Sequence, residues 1–565
     1  MRTRFEERPY EGAIAKSLEE KGILRPIARV LTSRGVTSAE DLREDWKSLA
    51  NPEALEGLKE AARLLSDLRE KKGLVTVIAD YDCDGATACA IAIRGLRAMG
   101  IAVNYLVPDR FKYGYGLSPE IVDLATKREK KPNLLLTVDN GIVSIEGVAR
   151  AKELGIAVII TDHHLAGDTL PEANAIVNPN LATSTFPSKA LAGCGVMYYL
   201  LLALRCELRR RGVFTPETQP RLDVLSDLVA LGTVADVVSL DKNNRILVSQ
   251  GLSRVKRGLA CAGIQALFEV CGKDRAKATA HDFAFSIAPR INAAGRLTEM
   301  SIGIDCLLTD DKDEAHCYAE KLDALNNERR ELEEAMQTDA VAALEKMDSK
   351  HLSSIVLFDE RWHQGVVGLV ASRIKEKIYR PVIAFAPDEG GLLKGSGRSI
   401  ESVHLKDALE EVERTSPGLM MRFGGHAMAA GLTIRRESLA EFTKLFEAAV
   451  RKYARVEALE NTIAVDGPLL ASEINFPLID AISARIWGQG FEAPLFANEF
   501  KVVSQKVLKG SHLKLWLELD GTRFDAIFFR HATPLPSYVR LAYKPEINEF
   551  MGRRSVQLVI IAAED

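Results

Sequence analysis

Carboxylate and imidazole side chains gather directly after three short apolar segments of the chain. They are Asp80, Asp82, Asp84, Asp139, Asp162, His163 and His164. The first three alternate along the chain, and carboxylates so close together repel one another unless a cation lies between them. The spacing therefore predicts a metal site assembled from residues that are distant in the sequence.

The apolar segments have the length and composition of β-strands. We expect strands at 74–79, 101–107, 134–138, 156–160 and 175–177. Intervals of roughly 20–30 residues between strands are typical of βα units, which predicts a parallel sheet with helices on its faces. Ligands of such sheets bind beyond the carboxyl ends of the strands. Three strands would thus bring the acids and imidazoles to one edge, and Asp236, after a helical run, is a further candidate.

The donor types indicate which cation would bind. Carboxylates with one or two imidazoles suit Mg²⁺ or Mn²⁺. Four or more carboxylates carry enough charge for two divalent ions about 3.5–4 Å apart. Taken singly, each motif has a simpler interpretation as a solvated turn or surface loop. Their common position after strands favours the metal site.

The rest of the chain divides into segments of different character. We expect a helical segment at 1–50, an α/β domain at 51–309, a second α/β domain at 351–457 and a β-rich domain at 458–565. The segment 310–350 lies between them, and its part 310–348 lacks Gly and Pro, which predicts one long helix starting near a capping box of Asp311 and Glu314. Alternating leucines from Leu513 to Leu519 predict strands of a small β-barrel.

Four of these motifs resemble, in order, those of the DHH phosphoesterases. They are Asp82-x-Asp84, Asp139, Asp162-His163-His164 and Asp236 in Gly-Thr-Val-Ala-Asp. Residues 288–296 and the C-terminal β segment resemble the RecJ exonucleases within this family, and the glycine-rich turns 395–399 and 424–431 resemble the DHH-associated substrate-binding domain. The resemblance implies a parallel-sheet DHH catalytic domain, a long connecting helix, a DHH-associated α/β domain and a C-terminal OB-fold.

The resemblance also implies a role for each acid and imidazole. One ion would be held by Asp82 and Asp139, with Asp80 nearby. The other would have four ligands, which are Asp84, Asp139, His163 and Asp236. His164 would face the scissile phosphate, and Asp162 would orient a neighbouring imidazole. The expected cofactors are two divalent cations, Mn²⁺ or Mg²⁺.

Basic and aromatic residues outside the metal motifs are candidates for nucleic-acid binding. They are Arg110, Tyr113, Tyr115, Arg290, Asn292, Arg296, Ser396, Arg398, His426 and Trp516. Arginine suits phosphates and aromatic rings stack on bases, although each segment could also be an ordinary surface loop or barrel core. By resemblance, Arg110, Arg290, Ser396 and Arg398 would bind a 5′-terminal phosphate, and His426 a phosphate near the cut.

Composition narrows the class of protein further. The net charge is −4, so nucleic acid would have to be bound by local basic patches and metal ions. The eight cysteines include no C-x-x-C pair, which favours reduced thiols. The N-terminus lacks the apolar core of a signal peptide, and no apolar run approaches the ~18 residues of a membrane span. We therefore expect a cytoplasmic protein without a membrane partner.

The resemblance implies a single-stranded-DNA-specific 5′→3′ exonuclease that releases 5′ mononucleotides in DNA repair and recombination. It further implies a monomer, with a single-strand-binding protein and a helicase as partners. Two alternatives remain open: a DHH hydrolase of small phosphates, and a non-catalytic nucleic-acid-binding protein. The extra β-rich domain argues against the first, and the intact set of acids argues against the second.

Overall fold

The computed structural model describes residues 3–108, 113, 115–347, 351–453, 461–550 and 552–564. They form two compact units. The larger comprises Glu7–Asn326 and Val465–Ile561, and the smaller comprises Met1–Glu6, Asn327–Ala464 and Ala562–Asp565. The predicted phosphate ligand Arg110 lies outside the described residues. Within the described part of the chain, no helix combines the length and apolar character needed to cross a membrane.

The N-terminal segment differs from the expected all-helical one. It begins with strand β1 (Thr3–Glu7), which pairs with Asn461–Val465. Helices α1 (Gly12–Glu20) and α2 (Arg25–Ser33) follow. The strand has one buried apolar residue, Phe5, so it has too little local pattern to be identified without its distant partner.

A five-stranded parallel sheet forms the centre of the larger unit, confirming the predicted fold class. Its strands are β2 (Leu74–Ala79), β3 (Ala102–Leu106), β4 (Leu134–Val138), β5 (Ala157–Thr161) and β6 (Ala175–Val177), in the spatial order β3-β2-β4-β5-β6. Helices among them are α3 (Leu58–Glu70), α4 (Cys83–Ala98), α5 (Pro119–Thr126) and α6 (Ile145–Glu153). Val138 pairs with both Ala79 and Thr161, so the chain leaves β2, β4 and β5 at one edge.

Helices complete this part of the larger unit. They are α7 (Gly193–Arg210), α8 (Ser226–Ala235), α9 (Lys242–Lys256), α10 (Ala262–Val270), α11 (Ala288–Leu297) and α12 (Ser301–Leu308). Helix α4 is buried along most of its length and packs against α7 and α8. A π-helical turn, Phe283–Ile287, leads into α11.

The long helix α13 spans Lys312–Lys346. The Asp311 carboxylate accepts hydrogen bonds from the amides of Asp313 and Glu314. The Glu314 carboxylate accepts from the hydroxyl of Thr309. The helix is therefore capped by Asp311, while Glu314 ties it to the preceding turn.

The smaller unit contains a second five-stranded sheet. Its elements are β7 (Ile355–Phe358), α14 (Val367–Ile378), β8 (Val382–Asp388), β9 (Leu392–Arg398), α15 (Leu405–Thr415), β10 (Met420–Gly425), β11 (Ala429–Arg435) and α16 (Leu439–Tyr453). The order is β10-β11-β9-β8-β7, with only β7 and β8 parallel. Phe385, Phe442 and Phe446 lie in its core.

The C-terminal segment forms the predicted β-barrel. After β12 (Asn461–Val465) and α17 (Phe476–Ser483), the strands β13 (Phe496–Leu508), β14 (His512–Leu519), β15 (Thr522–Phe528), β16 (Tyr538–Phe550) and β17 (Arg553–Ala563) follow. They close in the order β13-β14-β15-β17-β16. Leu513, Leu515 and Leu517 are buried, whereas Trp516 points outward.

Polar and cation–π contacts join the barrel segment to the rest of the larger unit. Arg34 and Asp466 form a buried ion pair. The amide of Leu240 donates to the carbonyl of Gln489 at 2.7 Å, and the guanidinium of Arg245 lies 4.2 Å from the ring centre of Phe491. These contacts explain why a segment predicted as a separate domain belongs to the same compact unit as the parallel sheet.

Candidate metal centre

The loop after β2 carries three carboxylates into the first turn of α4. Asp82 caps this helix, because its Oδ1 accepts the amide of Gly85 at 3.0 Å. Asp84 is buried and accepts the amides of Gly193 and Cys194 at 2.6 and 2.9 Å. These amides start α7, where the helix dipole favours negative charge. Sequence reasoning missed this support, because a Gly-Cys pair after an alanine carries no distinctive signal.

Asp139 leaves β4 in a left-handed conformation, with φ of 63°. Aspartate and asparagine adopt this conformation more readily than most residues. The Asp139 amide donates to the carbonyl of Thr161 at 3.0 Å. A Cβ on Gly193 would lie 2.5 Å from Oδ1 of Asp139, so only glycine leaves room for this carboxylate.

Three buried polar atoms, one each from Asp139, His163 and Asp236, lie close together. Nε2 of His163 lies 3.1 Å from Oδ1 of Asp139 and 3.4 Å from Oδ2 of Asp236. None of the three atoms has a hydrogen-bond partner in the described part of the chain. Buried polar atoms are nearly always satisfied, so this arrangement fits a cation that accepts donor electrons from all three.

The ligand atoms fall into overlapping groups, in each of which they lie within 4.8 Å of one another. The groups are Asp80, Asp82 and Asp139; Asp84, His163 and Asp236; and Asp139, His163 and His164. The first two are adjacent, and Asp139 lies close to His163 of the second. All six predicted metal ligands are therefore brought together, and their oxygen and nitrogen donors fit a pair of hard divalent cations.

The electrostatics of the cluster favour the same interpretation. Burial, followed by the charges of neighbouring carboxylates, raises the pKa of Asp139 and of Asp236 well above the usual range. The same causes raise the pKa of Asp84 to about 6. Burial and the neighbouring His164 lower the pKa of His163 to about 4. Divalent cations would remove the mutual repulsion and hold these groups as anions and neutral imidazole.

His164 is the more exposed of the two histidines, with 36% of its side chain accessible against 12% for His163. Its Nδ1 lies 2.7 Å from Oδ1 of the fully buried Asp162. Burial acts to lower the pKa of His164, but the hydrogen bond and charge of Asp162 outweigh it and raise the pKa. Asp162 also accepts the amides of Ile142, His163 and His164. It orients an imidazole, as its predicted role requires.

Tyr115, predicted to bind nucleic acid, lies in this centre. Its hydroxyl donates to the carbonyl oxygen of Asp139 at 3.1 Å and lies 3.2 Å from Nδ1 of His164. The ring also makes an edge contact with Tyr81. Tyr115 thus holds the backbone of Asp139 and lies beside His164.

Asparagines hold the loop that carries the histidines. The Asn178 and Asn180 side chains donate to the carbonyls of His164 and His163 at 2.9 and 2.6 Å. Sequence reasoning did not select them. The Asn-Pro-Asn turn after β6 was the available signal, since its strand neighbours the strand that ends in the histidines.

Other predicted nucleic-acid ligands of the larger unit have partners within the chain. Arg290 donates from Nε to Asp323 at 2.8 Å and from Nη1 to the carbonyl of Ser286 at 2.6 Å. Arg296 is half-buried. Tyr113 is half-buried and packs against the core beside the parallel sheet. None of these residues stands out as a free surface contact.

Asn292, also predicted to bind nucleic acid, makes a hydrogen bond within the chain. Its side-chain oxygen accepts the amide of Cys83, at the start of α4, at 2.8 Å. It therefore contacts the metal loop directly.

The remaining candidates lie on the smaller unit and the barrel. Nη1 of Arg398 donates to Oγ of Ser396 at 3.1 Å, and a Cβ on Gly368, near the start of α14, would meet both side chains. His426 is exposed in the turn between β10 and β11. Trp516 is 47% exposed on the outer face of the barrel. The structure groups Ser396 with Arg398 within one unit.

Models of three protein families match this chain. The DHH family N-terminal domain matches residues 74–233, the DHHA1 domain 350–452 and the RecJ OB domain 465–562. Together they cover the parallel sheet, the second sheet and the barrel.

Relatives match over most of the chain. The single-stranded-DNA-specific exonuclease RecJ of Salmonella typhimurium is 46% identical over 548 residues, covering 94% of this chain and 95% of the relative. The protein of that name from Bacillus subtilis is 31% identical, covering 98% of this chain and 70% of the relative.

A crystal structure of RecJ from Thermus thermophilus in complex with Mn²⁺ has the same fold. It superposes with a TM-score of 0.85 at 31% identity, covering 100% of this chain and 79% of that one. A second structure of that protein is in complex with Mg²⁺. With nearly half of its residues shared with a relative of almost equal extent, this chain belongs to the RecJ family of DHH proteins.

Proposed function

We propose that this chain is a single-stranded-DNA-specific exonuclease that hydrolyses phosphodiester bonds with two divalent cations, Mn²⁺ or Mg²⁺. The observation that carries the proposal is the set of unsatisfied buried atoms of Asp139, His163 and Asp236 beside the carboxylates of Asp80 and Asp82. The shared activity of the named relatives supports the choice of single-stranded DNA.

The protein's own residues position the metal ligands and supply a hydrogen-bond donor. Asp139 would be the ligand common to both cations, and Asp84 and His163 are held by backbone and side-chain hydrogen bonds. When bound, two divalent cations lower the pKa of water and offset the charge that builds up on phosphate oxygens. His164, whose pKa Asp162 raises against the effect of burial, donates a hydrogen bond to a non-bridging phosphate oxygen as its charge increases.

In this proposal the 5′→3′ polarity comes from two residues of the smaller unit that could bind a phosphate. Ser396 and Arg398 present a hydroxyl and a guanidinium near the first turn of α14, chemistry that suits a terminal phosphate. Arg290 and His426 are further proposed contacts to the DNA backbone. Binding of the terminal phosphate by this pair would favour release of 5′ mononucleotides.

The barrel binds the strand through its outer face. Trp516 is exposed between Ser504 and Asp525 of the neighbouring strands, and an exposed aromatic ring can stack on bases of any sequence. We further propose that the protein acts in DNA repair and recombination as a monomer, with a single-strand-binding protein and a helicase. Its eight free thiols suit the reducing cytoplasm.

The test is digestion of single and double strands labelled at the 5′ or the 3′ end, with Mn²⁺, Mg²⁺ or chelator. We expect early release of a labelled mononucleotide from 5′-labelled single strands only, and none with chelator. Strands with a 5′-hydroxyl should be cut more slowly than 5′-phosphorylated ones, and Arg398→Ala should remove that difference. A preference for dinucleotides over long strands would favour a small-phosphate hydrolase instead.

A further inference from the structure

Helix α11 lies directly on the loop that carries the first two metal ligands. Its Asn292 accepts the amide of Cys83 at 2.8 Å, and Cys83 is buried. Cys83 begins α4, and amides in the first turn of a helix have no partner within it. Asn292 therefore satisfies a buried donor that would otherwise be unpaired, in the residue between Asp82 and Asp84.

Two glycines allow the same loop to be enclosed by backbone on both sides. A Cβ on Gly295, one turn after Asn292, would lie 2.0 Å from the carbonyl oxygen of Tyr81. A Cβ on Gly85 would lie 2.7 Å from Cβ of Asp80. Neither distance is possible for a real side chain, so α11 and α4 approach the loop 80–83 as closely as a backbone can.

We propose that Asn292 and Gly295 are positioning residues for the metal ion held by Asp80 and Asp82. The inference deepens the proposed function and rests on it. Asp80 and Asp82 flank Tyr81, so a displacement of this loop moves both ligands together. The acceptor role also differs from the predicted one, in which Asn292 contacts DNA.

The second group of ligands is supported independently of α11. The carboxylate of Asp84 is held by the amides of Gly193 and Cys194, and the backbone of His163 is held by Asn180. Asp236 ends α8. Loss of the Asn292 contact should therefore weaken the binding of one ion and leave the binding of the other unchanged. A general loss of stability would weaken the binding of both.

The experiment is a calorimetric Mn²⁺ titration of the full-length protein without DNA, paired with single-strand binding in chelator. The wild type should bind two ions. Asn292→Ala and Gly295→Ala should lower the affinity for one ion by about 10–100-fold. The affinity for the other ion and for DNA should be unchanged. Asn292→Asp should retain both ions, because a carboxylate can still accept the Cys83 amide.

The matched control is Asn475→Ala, which removes the same kind of helix-start hydrogen bond from Leu478 in the barrel segment and should leave both ions unchanged. If Asn292→Ala binds both ions normally and binds DNA more weakly in chelator, Asn292 is a DNA contact and the proposal is overturned. Should Asn292→Ala not fold, Asn292→Asp decides: a DNA contact would lose strand affinity through phosphate repulsion, whereas a positioning residue would not. A wild type that binds no Mn²⁺ would instead overturn the proposed function itself.

Discussion

Oδ1 of Asp139 lies 3.1 Å from Nε2 of His163, and neither atom has a hydrogen-bond partner among the described residues. Asp139 directly follows β4, and His163 lies two residues after β5, the neighbouring strand, so the sheet brings the two residues together. A carboxylate and an imidazole held at this distance could bind the same cation. Their arrangement leads to predictions on activity, stability and pH.

Asp139→Asn should abolish hydrolysis while preserving the fold. Asparagine tolerates the left-handed conformation at this position, so the change removes the charge with little strain. We expect a loss of at least ~4 kcal/mol of transition-state stabilisation, about 10³-fold in rate. Initial rates on 5′-labelled single strands with Mn²⁺ measure it.

The same variant should be more stable than the wild type in chelator, because one source of buried repulsion is gone. Each kcal/mol relieved would raise Tm by about 1 °C, because the entropy of unfolding is large for a unit of this length. Asp168→Asn, on the exposed loop after the histidines, is the control and should change neither rate nor Tm. A Tm of Asp139→Asn below that of the wild type in chelator would contradict the repulsion argument.

Stabilisation by Mn²⁺ should decrease as pH falls through about 6. The folded-state pKa of Asp84 is raised to about 6, above its ordinary value, so protonation stabilises the metal-free fold. That contribution is complete below the ordinary pKa of the unfolded chain and is lost as pH rises through about 6. Protons and cations compete for the same carboxylates.

Thermal unfolding from pH 5 to pH 8, with Mn²⁺ and with chelator, tests this dependence. The difference in Tm between the two conditions should be largest at pH 8 and small at pH 5. Asp139→Asn should show a reduced difference at every pH. A difference that grows toward pH 5 would rule out carboxylate ligands with raised pKa values.

Gly193→Ala should impair metal binding although glycine binds no metal. Its Cβ would lie 2.5 Å from Oδ1 of Asp139, so the carboxylate or α7 must move. We expect Mn²⁺ affinity to fall by about 10–100-fold, measured by calorimetry. Gly12→Ala, whose Cβ meets nothing within 4 Å, is the matched control. Normal affinity in Gly193→Ala would show that the helix can shift without disturbing Asp139.

Trp516→Ala should weaken binding of long single strands without changing stability. The side chain is 47% exposed, and loss of a stacked base costs about 1–3 kcal/mol, or roughly 5–150-fold in Kd. Fluorescence anisotropy in chelator measures binding without cleavage. Trp516→Phe keeps a stacking surface and should retain most of the affinity, whereas equal loss in both variants would contradict stacking.

Local patterns in the sequence were sufficient for the elements nearest the metal centre. Buried parallel strands read as short apolar runs, and their ends, where Asp80, Asp139 and Asp162 follow, were placed within about one residue of those in the structure. Because the carboxyl ends of parallel strands lie at the same edge of a sheet, the sequence also predicted that these acids lie together. The barrel strand His512–Leu519 was equally visible, because its leucines alternate with polar residues.

Contacts between distant segments were beyond the sequence. Nothing near Asp84 indicates the amides of Gly193 and Cys194, and nothing near Asn292 indicates the amide of Cys83. Strand β1 depends on a partner more than 450 residues away. Such partners are chosen by packing rather than by local periodicity.

By itself, the sequence determined which strands form the parallel sheet, which acids and histidines follow them, and the family to which those motifs point. Only the tertiary structure decided that Oδ1 of Asp139 lies beside Nε2 of His163, that Tyr115 and Asn292 contact the loops of this cluster, and that Arg290 pairs with Asp323. The physical reason is range: strand patterns arise from neighbours in the chain, whereas a hydrogen bond or a ligand group depends on side-chain positions that exist only after the core has packed.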